Sequence, residues 1–114
     1  CRILRFAAFA AALMASAPIA AHAQSGDCTR DAADIRRAQS QLPRLDVAPP
    51  DDKQIVCITL ETNVLFARRL AAHVAQCPRS PLAREAGAWQ RTGAIYSERF
   101  SERRCRPTIR GYRG

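Results

Sequence analysis

The sequence predicts an all-α protein, a three-helix up-down-up bundle built on a long helical hairpin and stapled by two disulfides. Three observations predict it. First, residues 56–77, VCITLETNVLFARRLAAHVAQC, carry apolar side chains at a helical repeat: Val56, Leu60, Val64, Ala67, Leu70, Ala71 and Val74. Ile58 and Leu65 fall on the other side, so this helix is contacted from two directions and occupies the middle of the bundle. Second, a short break at Pro78–Ser80 is followed by another stripe, Leu82, Ala86, Trp89, Gly93, Tyr96 and Phe100. Its alternation of four and three suits side-by-side packing of antiparallel helices. Third, Cys28, Cys57, Cys77 and Cys105 bracket these segments, and the cysteine count is even.

The chain opens with a leader. Arg2 and Arg5 precede an apolar run from Phe6 to Ala21, and Ala21-His22-Ala23 fits the small-x-small pattern of a signal peptidase site. Residues 1–23 therefore read as a secretory signal peptide, with a cut after Ala20 as the second choice and an uncleaved anchor as the alternative. The run is short for a membrane span, and no later stretch is longer or more apolar. Cys28 stands behind the polar spacer Gln24-Ser25-Gly26-Asp27, which argues against lipidation. Residues 24–105 form the helical domain and residues 106–114 a basic tail. The expected location is the periplasm or the exterior.

Helix one is expected from Thr29 to Gln41, capped by Asp27 or Thr29, with Asp31 and Asp34 favouring its positive end. Pro43 stops it, and Pro43–Lys53 is a linker that Pro49-Pro50 keeps extended. Leu45 and Val47 are expected to tuck back onto the core. Asp51, three residues before Gln54, resembles the start of a capping box, so helix two is expected from Asp52 to Gln76. Ser80-Pro81 restarts the chain as helix three, expected to reach Glu102. Gly93 lies in mid-stripe, where it permits close approach to Ala67 or Ala71. Beyond Cys105, proline, glycine and the absence of periodicity predict an irregular, partly mobile tail with a hydrophobic contact by Ile109.

Helix geometry selects the disulfide pairing. Cys57 and Cys77 end one helix and lie about 30 Å apart, far beyond disulfide reach. Cys77 and Cys105 lie at opposite ends of the hairpin. The remaining choice is Cys28–Cys77 with Cys57–Cys105. An exported chain this small benefits from such links. Cysteines at opposite ends of long helices do not make a metal site, and no metal or cofactor is expected.

Charge is distributed unevenly. The chain carries a net charge of +8, yet residues 24–98 hold ten basic and nine acidic groups. From Arg99 onward, Arg99, Arg103, Arg104, Arg106, Arg110 and Arg113 face Glu102 alone. A solvated charged end explains such a cluster most simply. As a site it suits an acidic protein or an anionic envelope component; export and the lack of any recognition motif argue against nucleic acid. The wide apolar face of helix two is compatible with a monomer or a homodimer.

Catalytic motifs are missing from the sequence. There is no phosphate loop, HExxH or nucleophile elbow. His73 reads as a surface or boundary residue on helix two. Glu61, Glu85, Glu98 and Glu102 are the acids available for acid–base work, and Glu98 and Glu102 lie among arginines that explain them as ion pairs. Asn63 reads as a buried, satisfied polar group, and Trp89, Tyr96 and Phe100 as core. The leading expectation is a small exported, non-catalytic helical protein that binds an envelope or extracellular partner. The alternatives are a cationic membrane-active or toxin-like protein and a small periplasmic enzyme, the latter needing a carboxylate within reach of His73.

Overall fold

The computed structural model describes residues 19–112, with side chains from Gly26 onward. Most of the expected leader, residues 1–18, lies outside the described residues, as do Arg113 and Gly114. Helix α1 spans Ile19–Ser40, α2 spans Lys53–Gln76 and α3 spans Ala86–Glu102. Short 3-10 turns at Leu45–Val47 and Pro81–Glu85 occupy the two connections.

Cross-helix contacts set the register. Cys28 is bonded to Cys77, Asp31 meets His73, and the Pro43 carbonyl accepts from Asn63, so α1 runs antiparallel to α2. Cys57 is bonded to Cys105, Phe66 packs edge-on against Trp89, and Gly93 lies against Ala67, so α3 is antiparallel to α2 as well. The three-helix bundle and both disulfides match the expectation. Their Cα–Cα distances are 5.9 Å for Cys28–Cys77 and 5.6 Å for Cys57–Cys105.

Two apolar clusters hold the bundle. Val56, Leu60, Val64, Phe100 and Tyr112 fill the end near the start of α2, with Leu45, Ala48, Leu65, Tyr96 and Cys105 packed against them. Ile35, Phe66, Leu70 and Leu82 fill the other end, flanked by Ala32, Leu42, Val74 and Trp89. Between the clusters, a Cβ built on Gly93 would lie 2.9 Å from the Ala67 Cβ. That is inside ordinary contact distance, so only glycine permits this approach of α2 and α3.

Several local expectations need correction. Helix α1 begins at Ile19, ten residues before the expected start, and Asp27 and Thr29 lie inside it rather than capping it. The alanine-rich approach has high helix propensity, and no proline intervenes between Pro18 and Pro43. Asp52, not Asp51, caps α2 by accepting the Ile55 N–H at 3.1 Å. Ser80 caps the turn before α3, as its position beside Pro81 implied. Leu45 packs on the core, but Val47 is 69% exposed. The buried arc of α2 is wider than one stripe: Thr59, Glu61, Asn63, Phe66 and His73 are buried, while Ala71 and Ile58 are exposed. A helix touching α1, the linker, α3 and the tail has little free circumference.

Candidate functional site

The basic end of the hairpin is built by a helix stop and a buried carboxylate. At the end of α3, Arg104 N–H donates to the Ser101 carbonyl and Cys105 N–H to the Phe100 carbonyl, both at 3.0 Å. This paired closure places the residue after the cap in the left-handed region. That residue is Arg104, with φ 55°. Cys105 then bonds to Cys57 and fixes the turn against the start of α2.

The following segment is irregular, as expected, but it is docked rather than loose. Glu61 is completely buried in α2, and its carboxylate accepts three hydrogen bonds from the tail. Thr108 N–H donates at 2.8 Å, Thr108 Oγ1 at 2.8 Å and Ile109 N–H at 2.6 Å. A buried carboxylate demands such partners, and hydrogen bonds to a charged acceptor are the strong class. Beyond this clasp, Tyr112 is buried against Phe100, ring centroids 4.6 Å apart, under the Arg68 guanidinium at 5.2 Å. The contact expected of Ile109 is thus made chiefly by its backbone and by Tyr112.

This framework presents Arg99, Arg103, Arg104, Arg106 and Arg110, all exposed. None of the five forms an ion pair among the described residues. The ion pairs lie elsewhere, at Arg36–Glu85, Arg37–Asp34, Arg44–Asp46 and Arg69–Asp31. Arg99 lies only over the Tyr96 ring, at 5.9 Å. Arg113 lies outside the described residues.

Four of these arginines divide between two clefts that share no lining residue, and Arg110 lines neither. One, about 370 Å³, has Leu45, Val56 and Leu60 on its floor and Arg99, Glu102 and Arg103 at its rim. The other, about 350 Å³, lies beside the Cys57–Cys105 disulfide and takes in Lys53, Arg104 and Arg106. Lys53 joins the cluster only through folding, because the linker delivers it to the end where α3 stops.

The opposite end of the hairpin holds a polar network centred on His73. The ring is buried, not at the surface or boundary as expected. Its Nδ1 lies 2.7 Å from Asp31 Oδ2 and its Nε2 lies 2.7 Å from Ser80 Oγ. Ser80 Oγ also accepts the Leu82 N–H at 3.2 Å. Facing a carboxylate, which only accepts, Nδ1 is the donor of the pair with Asp31. The order Asp31, His73, Ser80 is the proton order of an acyl-transfer triad. Yet Ser80 also caps a helical turn, and the ring has no exposed surface. What the network does observably is tie α1, α2 and the turn before α3 together beside Cys28–Cys77.

Asn63 is buried and satisfied as expected, donating to the Pro43 carbonyl at 2.9 Å and the Thr59 carbonyl at 2.8 Å. Among the described residues, no group of three or more His, Cys, Asp or Glu is placed to hold a metal ion. No described helix is long and apolar enough to cross a membrane. No protein-family model matches the chain, and comparison with characterised proteins and with solved structures gives no match.

Proposed function

We propose that this is a small, non-catalytic binding protein that works outside the cytoplasm, in the periplasm or secreted, and meets an anionic envelope or extracellular partner through the basic end of its hairpin. One observation carries the reading. Five exposed arginines stand without carboxylate partners on a segment fixed by the Cys57–Cys105 disulfide and the Glu61 clasp. Cations free of ion pairs on a rigid base lose little entropy when an anion arrives. Two disulfides and the leader-like first residues support export.

The test is capture from a native envelope fraction by the oxidised protein, beside a variant with Arg103, Arg104, Arg106 and Arg110 changed to glutamine. A partner held by the arginine-bearing form and lost by the variant supports the reading. A partner held equally by both would refute the assignment to this end.

A hydrolase reading has one observation behind it, the Asp31–His73–Ser80 order. Covalent labelling of Ser80 by a fluorophosphonate, lost in His73→Gln, would establish it. We expect no labelling, because Ser80 Oγ is held by the Leu82 amide and a fully buried imidazole.

A further inference from the structure

The left-handed position that closes α3 is one where glycine is the usual occupant, since a Cβ is penalised there. Here it is Arg104, with φ 55°. Its side chain is exposed and makes no hydrogen bond or ion pair among the described residues. A cation is thus held at a backbone position that disfavours it, and it opens onto the cleft of about 350 Å³ beside the disulfide. Lys53 and Arg106 line the same cleft, and no acidic side chain does. The other basic cleft includes Glu102 at its rim. Ile58, also lining the cleft beside the disulfide, is 38% exposed, and Ile55, one helical turn earlier, is 42% exposed.

We propose that this cleft receives the phosphate-monoester headgroup of an anionic lipid, with Ile58 and Ile55 meeting the edge of the acyl region. The proposal rests on the reading that the basic end meets an anionic partner, and it names that partner's chemistry. Three cations without an acid exceed what one carboxylate neutralises. A phosphate monoester carries a charge near −2 and three acceptor oxygens, and guanidinium forks match it in pairs. The exposed isoleucines separate a lipid from a soluble phosphate ester, because only the lipid offers an apolar surface beside the charge.

The experiment is co-sedimentation of the full oxidised chain with phosphatidylcholine vesicles containing phosphatidic acid, a monoester, or phosphatidylglycerol, a diester, at matched surface charge. Phosphatidylcholine alone sets the baseline, including any contribution of the apolar residues 6–21. Tighter binding to the monoester vesicles is expected. Arg104→Gly and Lys53→Gln should each weaken it about fivefold, the usual effect of one cation near an anionic surface. Arg79→Gln, the same charge loss at the opposite end, should not. Arg104→Gly relieves the backbone, so its melting temperature should be no lower than that of the parent, and lost binding cannot be ascribed to lost fold. Ile55→Ser with Ile58→Ser should weaken vesicle binding while leaving amide shifts of Thr108 and Cys105 with soluble glycerol phosphate unchanged. Equal binding to both lipids, or equal loss in Arg79→Gln and Arg104→Gly, would overturn the proposal in favour of a general field effect. Soluble phosphate bound as well as vesicles, with no effect of the serines, would overturn the lipid assignment. Absence of vesicle binding would overturn the proposal too, and envelope capture that still depends on the arginines would then leave the broader function standing.

Discussion

Glu61→Gln tests whether the basic end is a preorganised surface or a loose tail. The substitution keeps the shape of the side chain and removes its charge. Oε1 now accepts Thr108 N–H and Ile109 N–H, at 2.8 and 2.6 Å, and Oε2 accepts the Thr108 hydroxyl at 2.8 Å; in glutamine these bonds lose their charge assistance and the hydroxyl must turn to accept from the amide. Bonds to a charged acceptor contribute about 1.5–3 kcal/mol each. The full sum will not appear, because a weakened tail lifts away and water satisfies both sides. Losing the equivalent of one or two such bonds gives a tail-docking cost of about 2–4 kcal/mol. That converts to about 30- to 1,000-fold less protection at the docked amides. Hydrogen exchange by NMR reads this at Thr108, Ile109 and Tyr112, the last of which donates to the Ile109 carbonyl at 3.1 Å. Amides in α2 and α3 should keep most of their protection, since the opening is local. Trypsin should also gain access to the Arg110–Gly111 bond. Unchanged protection at Thr108 and Ile109 would refute the clasp. Equal deprotection of α2 would show that Glu61 supports the whole core instead.

Three further perturbations test the frame. Gly93→Ala gains about 1 kcal/mol of helix propensity but forces α2 and α3 apart at a 2.9 Å contact, at a cost of about 1–3 kcal/mol; a lower melting temperature is expected, restored by adding Ala67→Gly, and a stabilised single variant would contradict the close approach. His73→Leu removes both ring hydrogen bonds and should cost about 1–3 kcal/mol, lowering the melting midpoint by about 4–8 °C per kcal/mol; an unchanged midpoint would mean that the network does not stabilise the fold. Each disulfide closes a loop of nearly 50 residues, with sequence separations of 49 and 48, and losing one should cost about 4 kcal/mol. Cys28→Ser with Cys77→Ser should expose α1 amides first, whereas Cys57→Ser with Cys105→Ser should expose the tail and the end of α3; identical exchange patterns would argue against two separately fastened ends.

Much of the frame was legible because helical rise acts as a ruler. Once Cys57 and Cys77 were placed on one helix, their separation left a single pairing compatible with antiparallel neighbours, and the two bonds formed accordingly. The polar fastenings were not legible, although their registers were. Glu61 follows Cys57 by four and precedes Val64 by three, and His73 follows Leu70 by three and precedes Cys77 by four, so both occupy apolar positions. Their partners carry no local mark: Thr108 lies 47 residues from Glu61, and Asp31 lies 42 from His73. Charge alone therefore makes a buried Glu61 or His73 resemble a surface residue. Arg104 was hidden for the opposite reason, since a left-handed closure is ordinarily betrayed by glycine and none stands between Gly93 and Gly111.

These fastenings also explain why the two ends of the hairpin differ. At the Cys28–Cys77 end, Asp31, His73 and Ser80 turn their polar groups on one another, and Arg69 and Arg36 find carboxylates within the fold. At the Cys57–Cys105 end, the nearby buried acid, Glu61, is consumed by backbone and hydroxyl donors of the tail rather than by arginine. With its oxygens turned to the tail, Glu61 makes no ion pair with the neighbouring guanidiniums among the described residues. The clasp therefore holds Arg106 and Arg110 in a defined segment while its own carboxylate forms no ion pair with them. Substituting Glu61 should accordingly weaken anion binding by loosening the tail even though it makes the local charge more positive. A purely electrostatic end would bind anions more tightly after the same change.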